Sequence, residues 1–309
     1  MTADELALLR GVEAAPDDDL PRLVYADWLD EHGRHARAEF IRVQCELASI
    51  ERRLPGMTLE EKRVAGPRRG ELVRTQREML MAKTLESVGY YPSNRNDAGR
   101  YQSDDYGRKF RRGFLSEFTI FENMDEQCGR DIKRCAELVP RPRIAVWNVL
   151  RMLTQTHRQG WFARQDIWSE VNSLHMHDHT DTTVLPHELI PMMRPEYSRL
   201  QDFSAYMMYL TPGHVCVIAE RLNAPNLISL NLSINDIVDS GVAFLHRAVY
   251  AKSLREINLC QNPICRPEIS KLTKDLFPSL QKVDLTGCPI MPESLAQLRG
   301  QLPGVEVIC

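Results

Sequence analysis

The clearest order in the chain is a spacing of apolar residues that recurs in its last third. Leu227, Leu230 and Leu232 are followed by Asn235, and Leu254, Ile257 and Leu259 by Asn262. Leu280, Val283 and Leu285 are followed by Cys288. Alternate apolar positions predict a short strand with one buried face, and the next polar position marks an inward bend. An Asn at such a bend can satisfy main-chain groups that the turn leaves unpaired. Each strand is followed by a return segment. Asp239 to Tyr250 offers Val242, Phe244, Leu245 and Val249 as a helical core face, and Pro267 to Phe277 offers Ile269, Leu272 and Leu276.

Weaker units flank these three. Leu200, Phe203, Ala205 and Met208 keep the phase, with Val215, Val217, Ile218 and Leu222 in the return. Val305 and Val307 begin a truncated strand. Upstream, Ile144, Trp147 and Val149 fit the same frame, and Phe114 to Ile120 reads as an initial strand. The pattern resembles the ribonuclease-inhibitor-like class of leucine-rich repeats. That resemblance implies an α/β solenoid, with a parallel sheet on its concave face and helices on its convex face. The expected repeat region is 113–309, irregular before 200, with atypical terminal units.

The first 54 residues carry a different period. Thr2 and Glu5 have capping-box spacing ahead of Leu6, Leu8 and Leu9, with an early end at Gly11. The Pro16-Asp17-Asp18-Asp19 cluster precedes a second helix from about Leu20 to Glu31, with Leu20, Leu23, Val24 and Trp28 as its apolar stripe, widened by Tyr25 and Leu29. Gly33 is placed to end it. A third helix begins near Arg37 and carries Phe40, Ile41, Cys45, Leu47 and Ile50. The run from Tyr25 to Gly33 reads as an aromatic packing helix with a solvated acidic edge, or as a recognition surface. The matching residues Leu23, Tyr25, Ala26, Asp27, Trp28, Leu29, Glu31, Gly33, Ala38, Glu39, Phe40, Ile41 and Gln44 give this segment a resemblance. It is similar to the small helical repeat-companion domain of planctomycete and myxobacterial proteins. That implies a bacterial paralogous family without an established biochemical role, and no catalytic residue.

Residues 55–112 read as a helical and loop linker. Thr58 and Glu61 form another capping box, Gly66-Pro67 interrupts the pattern, and a helix is expected from Gly70 to Val88 with Leu72, Met79 and Leu80 on one face. Residues 89–107 are rich in turn formers and hold four tyrosines, as expected for a loop or insert.

The totals narrow the function classes. The 309 residues are 43% hydrophobic, ample for one or two cores, and the net charge of −3 gives no whole-molecule case for nucleic-acid binding. Eight cysteines in a chain of this length do not require a disulfide framework. The opening residues lack a signal-peptide pattern, and no 18-residue apolar run predicts a membrane span. A cytoplasmic protein without membrane insertion is the expectation.

Candidate chemistry divides three ways. Outward positions between the buried repeat residues would line the concave face and meet a protein partner: Tyr206, Ser229, Asn231, Ser233, Glu256, Asn258, Lys282, Asp284 and Thr286, with Ser204 and Cys260 beside them. Ordinary solvated strand surface is the plainer reading of the same row. His175, His177, His179 and Asp181 alternate and offer metal ligands, which would suit a metal-dependent enzyme or a metal-stabilised protein. An exposed polar loop is the plainer reading of the same segment. Arg108, Lys109, Arg111 and Arg112 are a short basic run that could pair with phosphates, or simply lead into the strand that follows. No phosphate loop, dinucleotide fingerprint or cysteine pair of redox spacing is present, so no cofactor and no catalytic residue are expected.

Overall fold

The computed structural model describes residues 2–81, 108–111, 114–121, 133, 136–138, 141–147, 166–177, 185–193, 196–265 and 271–309. The chain divides into two compact units, Met1–Phe118 with Arg134–Pro142, and Thr119–Lys133 with Arg143–Cys309.

Four helices build the first unit: α1 (Ala3–Ala14), α2 (Leu20–Glu31), α3 (His35–Arg53) and α4 (Leu59–Met81). Thr2 Oγ1 accepts the Glu5 N–H at 3.2 Å, but the Glu5 carboxylate turns away to Tyr25 and Arg34. The expected box is therefore half made. α1 continues through Gly11 because Leu9 and Val12 are both buried against α2 and α3, and tertiary packing outweighs the local preference of glycine. Gly33 adopts a φ of +73° just beyond α2, the conformation glycine supplies at a helix end.

The apolar stripe of α2 differs from the expected one. Tyr25, Ala26 and Leu29 enter the core with Leu9, Val12, Ala38, Ile41, Cys45 and Phe114, whereas Leu20, Leu23 and Val24 are exposed. Arg22 replaces them on the buried side, donating to the carbonyls of Ala15, Pro16 and Asp18 and so tying down the turn before the helix. Trp28 stacks on His32 and lies under Arg34, while Arg42 bridges Asp27 and Asp30. The aromatic and acidic string of α2 thus has a packing explanation.

α4 runs unbroken through Gly66-Pro67, where a break was expected. Its start carries the complete box: Thr58 N–H donates to Glu61 Oε2 at 2.7 Å, and Glu61 N–H to Thr58 Oγ1 at 3.3 Å. Leu72 is buried on Val43, Leu47 and Ile50 of α3, with Met79 packed against the same cluster. Arg68 and Arg69 pair with Glu46 and Glu51 across the two helices. This packing holds the helix despite the proline. The expected extension to Val88 lies outside the described residues.

Two strands, β1 (Arg108–Arg111) and β2 (Phe114–Phe121), form an antiparallel pair. The basic run is thus itself a strand and not merely the approach to one; Arg112 lies outside the described residues.

In the second unit, β3 (Arg143–Trp147), β4 (Ser173–His177), β5 (Asp202–Tyr206), β6 (Ser229–Asn231), β7 (Glu256–Asn258), β8 (Lys282–Asp284) and β9 (Glu306–Ile308) neighbour one another in sequence order. All six pairings are parallel. One row, Val146-Leu174-Phe203-Leu230-Ile257-Val283-Val307, crosses every strand. Its first six members are buried and Val307 partly so, as the last strand has no further neighbour among the described residues to cover it.

This register corrects the upstream frame. Ile144 and Val146 are buried, and Val146 takes the register position in the shared apolar row that the sequence frame assigned to Trp147. A one-residue slip exchanges the faces of a strand. Val171, Leu174 and Met176 form a further unit, all buried, which the intervening histidines hid from the sequence pattern.

The return segments lie between strands. Full helices occur at Pro212–Arg221 and Pro292–Gln301, whereas Asp239–Val242 and Leu245–Arg247 are single turns. Val242 and Leu245 are buried as expected, but Val249 is 59% exposed because the segment never completes a helix that would turn it inward. Leu272 is buried in a run of turns, and Ile269 lies outside the described residues.

Candidate functional site: the outward face of the parallel sheet

The outward face is set by what holds each strand end. Asn235 sits below the sheet and is buried. Its amide donates to the carbonyls of Ala205 and Leu232 at 2.8 and 2.9 Å, and its Oδ1 accepts the N–H groups of Met208 and Leu210. Asn262 repeats this one unit later, donating to Leu232 and Leu259 and accepting from Ile237. Cys288 holds the third position, its Sγ donating to the Leu259 carbonyl at 3.1 Å and also meeting the backbone of Asn262. Burial pushes the Cys288 thiol up, so it stays protonated and able to donate.

The residue before each of these positions, and before the equivalent Met208, has a left-handed backbone: Met207, Ile234 and Gln261 at φ of 53° to 56°, and Gly287 at 75°. Only in the last unit does glycine relieve the turn. For β-branched Ile234 this conformation is costly, and the surrounding hydrogen bonds hold it there.

A second device works on the outward side. Asn231 Oδ1 accepts the N–H of Ser233 at 3.0 Å, Asn258 Oδ1 that of Cys260 at 2.9 Å, and Asp284 Oδ1 that of Thr286 at 2.9 Å. These three carry side-chain braces two residues ahead, a local bond typical of Asn and Asp. Asn231, Asn258 and Asp284 stand side by side, as do Ser229, Glu256 and Lys282. Asp202 continues the second row in β5 and pairs with Arg143 of β3. Burial raises the Asp202 carboxyl above its ordinary value, against the pull of Arg143.

The expected surface residues separate into two groups. Glu256 and Thr286 are exposed; Tyr206, Ser229, Asn231, Asn258, Lys282 and Asp284 are half-buried on the outward rows. Ser233 departs from them. It is only 6% exposed, and its hydroxyl donates to Asn231 Oδ1 at 2.7 Å, so it braces the strand end instead of facing a partner. Ser204, opposite Asn231, is also buried. Sequence reasoning counted past the strand end here, where the chain has already begun to bend inward. It did not identify Asp202 and Glu306 as members of the charged row, which register reveals, or Arg143 as the ion-pair partner of Asp202.

The alternating histidines fall partly in β4. His175 lies opposite Ser204 and His177 opposite Tyr206, and His175 Nε2 is 2.6 Å from Ser173 Oγ. His179 and Asp181 lie outside the described residues. Among the described residues, no group of three His, Cys, Asp or Glu side chains could hold a metal ion. Arg108, Lys109 and Arg111 lie on β1. An open hollow lined by Ile190, Met193, Glu220 and Arg221 sits at the return segments and includes none of the outward-row residues. No described helix is long and apolar enough to cross a membrane.

No protein-family profile matches the chain, and no curated protein matches it significantly. Among solved structures it is similar to a leucine-rich repeat protein of Leptospira interrogans, with 14% identity and a TM-score of 0.28, over 61% of this chain and 52% of the other. The chain thus spans about half the length of that solved relative. The fold rests on internal geometry: parallel strands in sequence order, one shared apolar row and a recurring buried Asn below the sheet make residues 143–309 a leucine-rich repeat solenoid.

Proposed function

We propose that this chain is a protein-interaction or scaffold module that takes its partner on the outward face of β5 to β8. The observation that carries this reading is the braced polar surface: Asn231, Asn258 and Asp284 each accept a main-chain hydrogen bond two residues ahead while remaining partly exposed. Groups fixed before binding lose little freedom on binding, which favours affinity. Glu256, Lys282 and Asp284 add charge of both signs, suited to selecting one partner over another. The helical first unit belongs, on this reading, with the bacterial repeat-companion domains, and the protein acts in the cytoplasm without a cofactor.

The test compares partner recovery from native lysate by the wild-type chain, by Ser229→Arg with Asn258→Arg, and by Arg247→Glu on a return segment. Loss of the same recovered protein in the double variant alone supports the face. Equal recovery by all three chains removes it. A metal-dependent reading through His175 and His177 has less support, because no group of three metal-binding side chains forms among the described residues; a nucleic-acid reading through Arg108, Lys109, Arg111 and Arg112 has none from the net charge of −3.

A further inference from the structure

We propose that the exposed side of α2 is a second interaction surface, which takes an amphipathic helix whose apolar stripe is flanked by lysine or arginine. Leu20, Leu23 and Val24 are 65%, 36% and 44% exposed. Their spacing of three and four residues places them on one side of the helix, as a single ridge. The buried side is complete without them. Tyr25, Ala26 and Leu29 enter the core with residues of α1 and α3, and Arg22 ties down the preceding turn. α2 therefore carries two apolar stripes on opposite sides, and the first unit uses one.

Charge selects the partner. Residues 17–31 hold six acids, Asp17, Asp18, Asp19, Asp27, Asp30 and Glu31, and one base, the buried Arg22. At about 100° per residue, Asp27 and Glu31 continue the line of Leu20 and Val24. The ridge thus turns from apolar to acidic along the helix, and Asp17 and Asp18 are exposed at its other end. Arg42 and Arg52 of α3 answer Asp27, Asp30 and Asp19, yet Asp27 stays 71% exposed. Asp18 Oδ1 accepts the Leu20 N–H, and neither Asp18 nor Glu31 forms an ion pair among the described residues.

An apolar ridge with acids at both ends fits a helix that offers the inverse, apolar residues at the same spacing with bases beyond each end. At 1.5 Å per residue the stretch from Asp18 to Glu31 is about 20 Å long, which a helix of about 14–18 residues covers. Such ridges pack into the grooves of another helix. An added strand would find no open backbone edge on α2 to pair with. The acids repel nucleic acid and anionic membranes.

The probe is a fluorescein-labelled peptide of about 18 residues, with leucines at helical spacing in its middle turns, alanines behind them and lysines at both ends. A second peptide has glutamate for every lysine. Fluorescence anisotropy is read with the full chain at low and high sodium chloride. At low salt the wild type should bind the lysine peptide about tenfold or more tighter than the glutamate peptide. Leu20→Ser with Val24→Ser should weaken that binding about tenfold or more, at an unchanged thermal midpoint because both side chains are exposed. Asp18→Asn with Glu31→Gln should remove most of the salt dependence. Ser229→Arg with Asn258→Arg, on the sheet, should bind the peptide as the wild type does, so this surface stands or falls apart from that one. No binding of the lysine peptide at low salt, equal binding of the two peptides, or unchanged binding by the Leu20→Ser, Val24→Ser variant overturns the proposal. Self-association, or binding to phosphatidylcholine vesicles, that the same variant abolishes also overturns it and gives the face to a second copy or to a membrane.

Discussion

The Oδ1 of Asn262 accepts a hydrogen bond at 3.0 Å from the N–H of Ile237, 25 residues earlier in the chain, while its amide donates to the carbonyls of Leu232 and Leu259. One buried side chain therefore joins a unit to the one before it. Asn235 does the same for Met208, Leu210 and Ala205. Removing either amide leaves several main-chain groups without water or partner. Asn262→Ala is expected to destabilise the repeat unit by about 2–4 kcal/mol, and Asn235→Ala by more, because it orphans two N–H groups instead of one. Urea unfolding at unchanged m-value measures both.

Gly287 holds the left-handed position that Met207, Ile234 and Gln261 hold in the other units. A Cβ there would stand 3.1 Å from Gln261 Cγ. Gly287→Ala should cost about 1–2 kcal/mol, from backbone strain and from displacing Gln261. Gly300→Ala, which meets nothing within 4 Å in the helix Pro292–Gln301, should instead be neutral or stabilising by under about 1 kcal/mol. The two midpoints, measured side by side, separate turn strain from a general effect of alanine.

The first unit should be sensitive to both acid and alkali through one pair. Burial pushes the Glu5 carboxyl up, but hydrogen bonds from Arg34 and Tyr25 pull it below its ordinary value overall. A lowered folded pKa means stability present above the unfolded value and lost as the pH falls through the folded one. Tyr25 behaves oppositely: burial and the Glu5 charge push it up from 10.0 to about 12. Its contribution is full below about 10 and is lost as the pH rises from there through about 12. Glu5→Gln should flatten the acid limb of the stability profile, and Tyr25→Phe the alkaline limb. Thermal midpoints recorded across pH show whether each limb follows its own variant.

Leu230 and Ser229 are adjacent in β6 and face opposite sides. Leu230→Ala should cost about 2–5 kcal/mol by emptying the shared apolar row. Ser229→Ala should change stability by less than about 0.5 kcal/mol. Similar losses at the two positions would mean that the strand faces have been assigned wrongly.

Much of this architecture was legible because its signals are local and repeated. Leu227, Leu254 and Leu280 mark the phase, and Asn235 and Asn262 reveal the bends by residue type alone. Legibility failed where a unit lost its marker. In β4 the inward residues are Leu174 and Met176, but His175 and His177 drew the reading toward metal chemistry. In β3 one residue of register put Val146, not Trp147, at the position of the shared apolar row. On α2, Leu20, Leu23 and Val24 follow a helical stripe as well as Tyr25 and Leu29 do, and only packing against α1 and α3 selects between them. Ser233 shows the same limit at the candidate site, because a strand's end is fixed by hydrogen bonds that composition does not display.

The most direct test of partner recognition places a photo-crosslinking residue singly at Ser229, Asn258, Lys282, Glu220 and Val249 of the full chain, followed by irradiation in native lysate. The expected result is one common crosslinked protein from the three sheet positions and none from Glu220 or Val249. The same product from the return-segment positions, or no product from the sheet positions, would contradict recognition on the outward face.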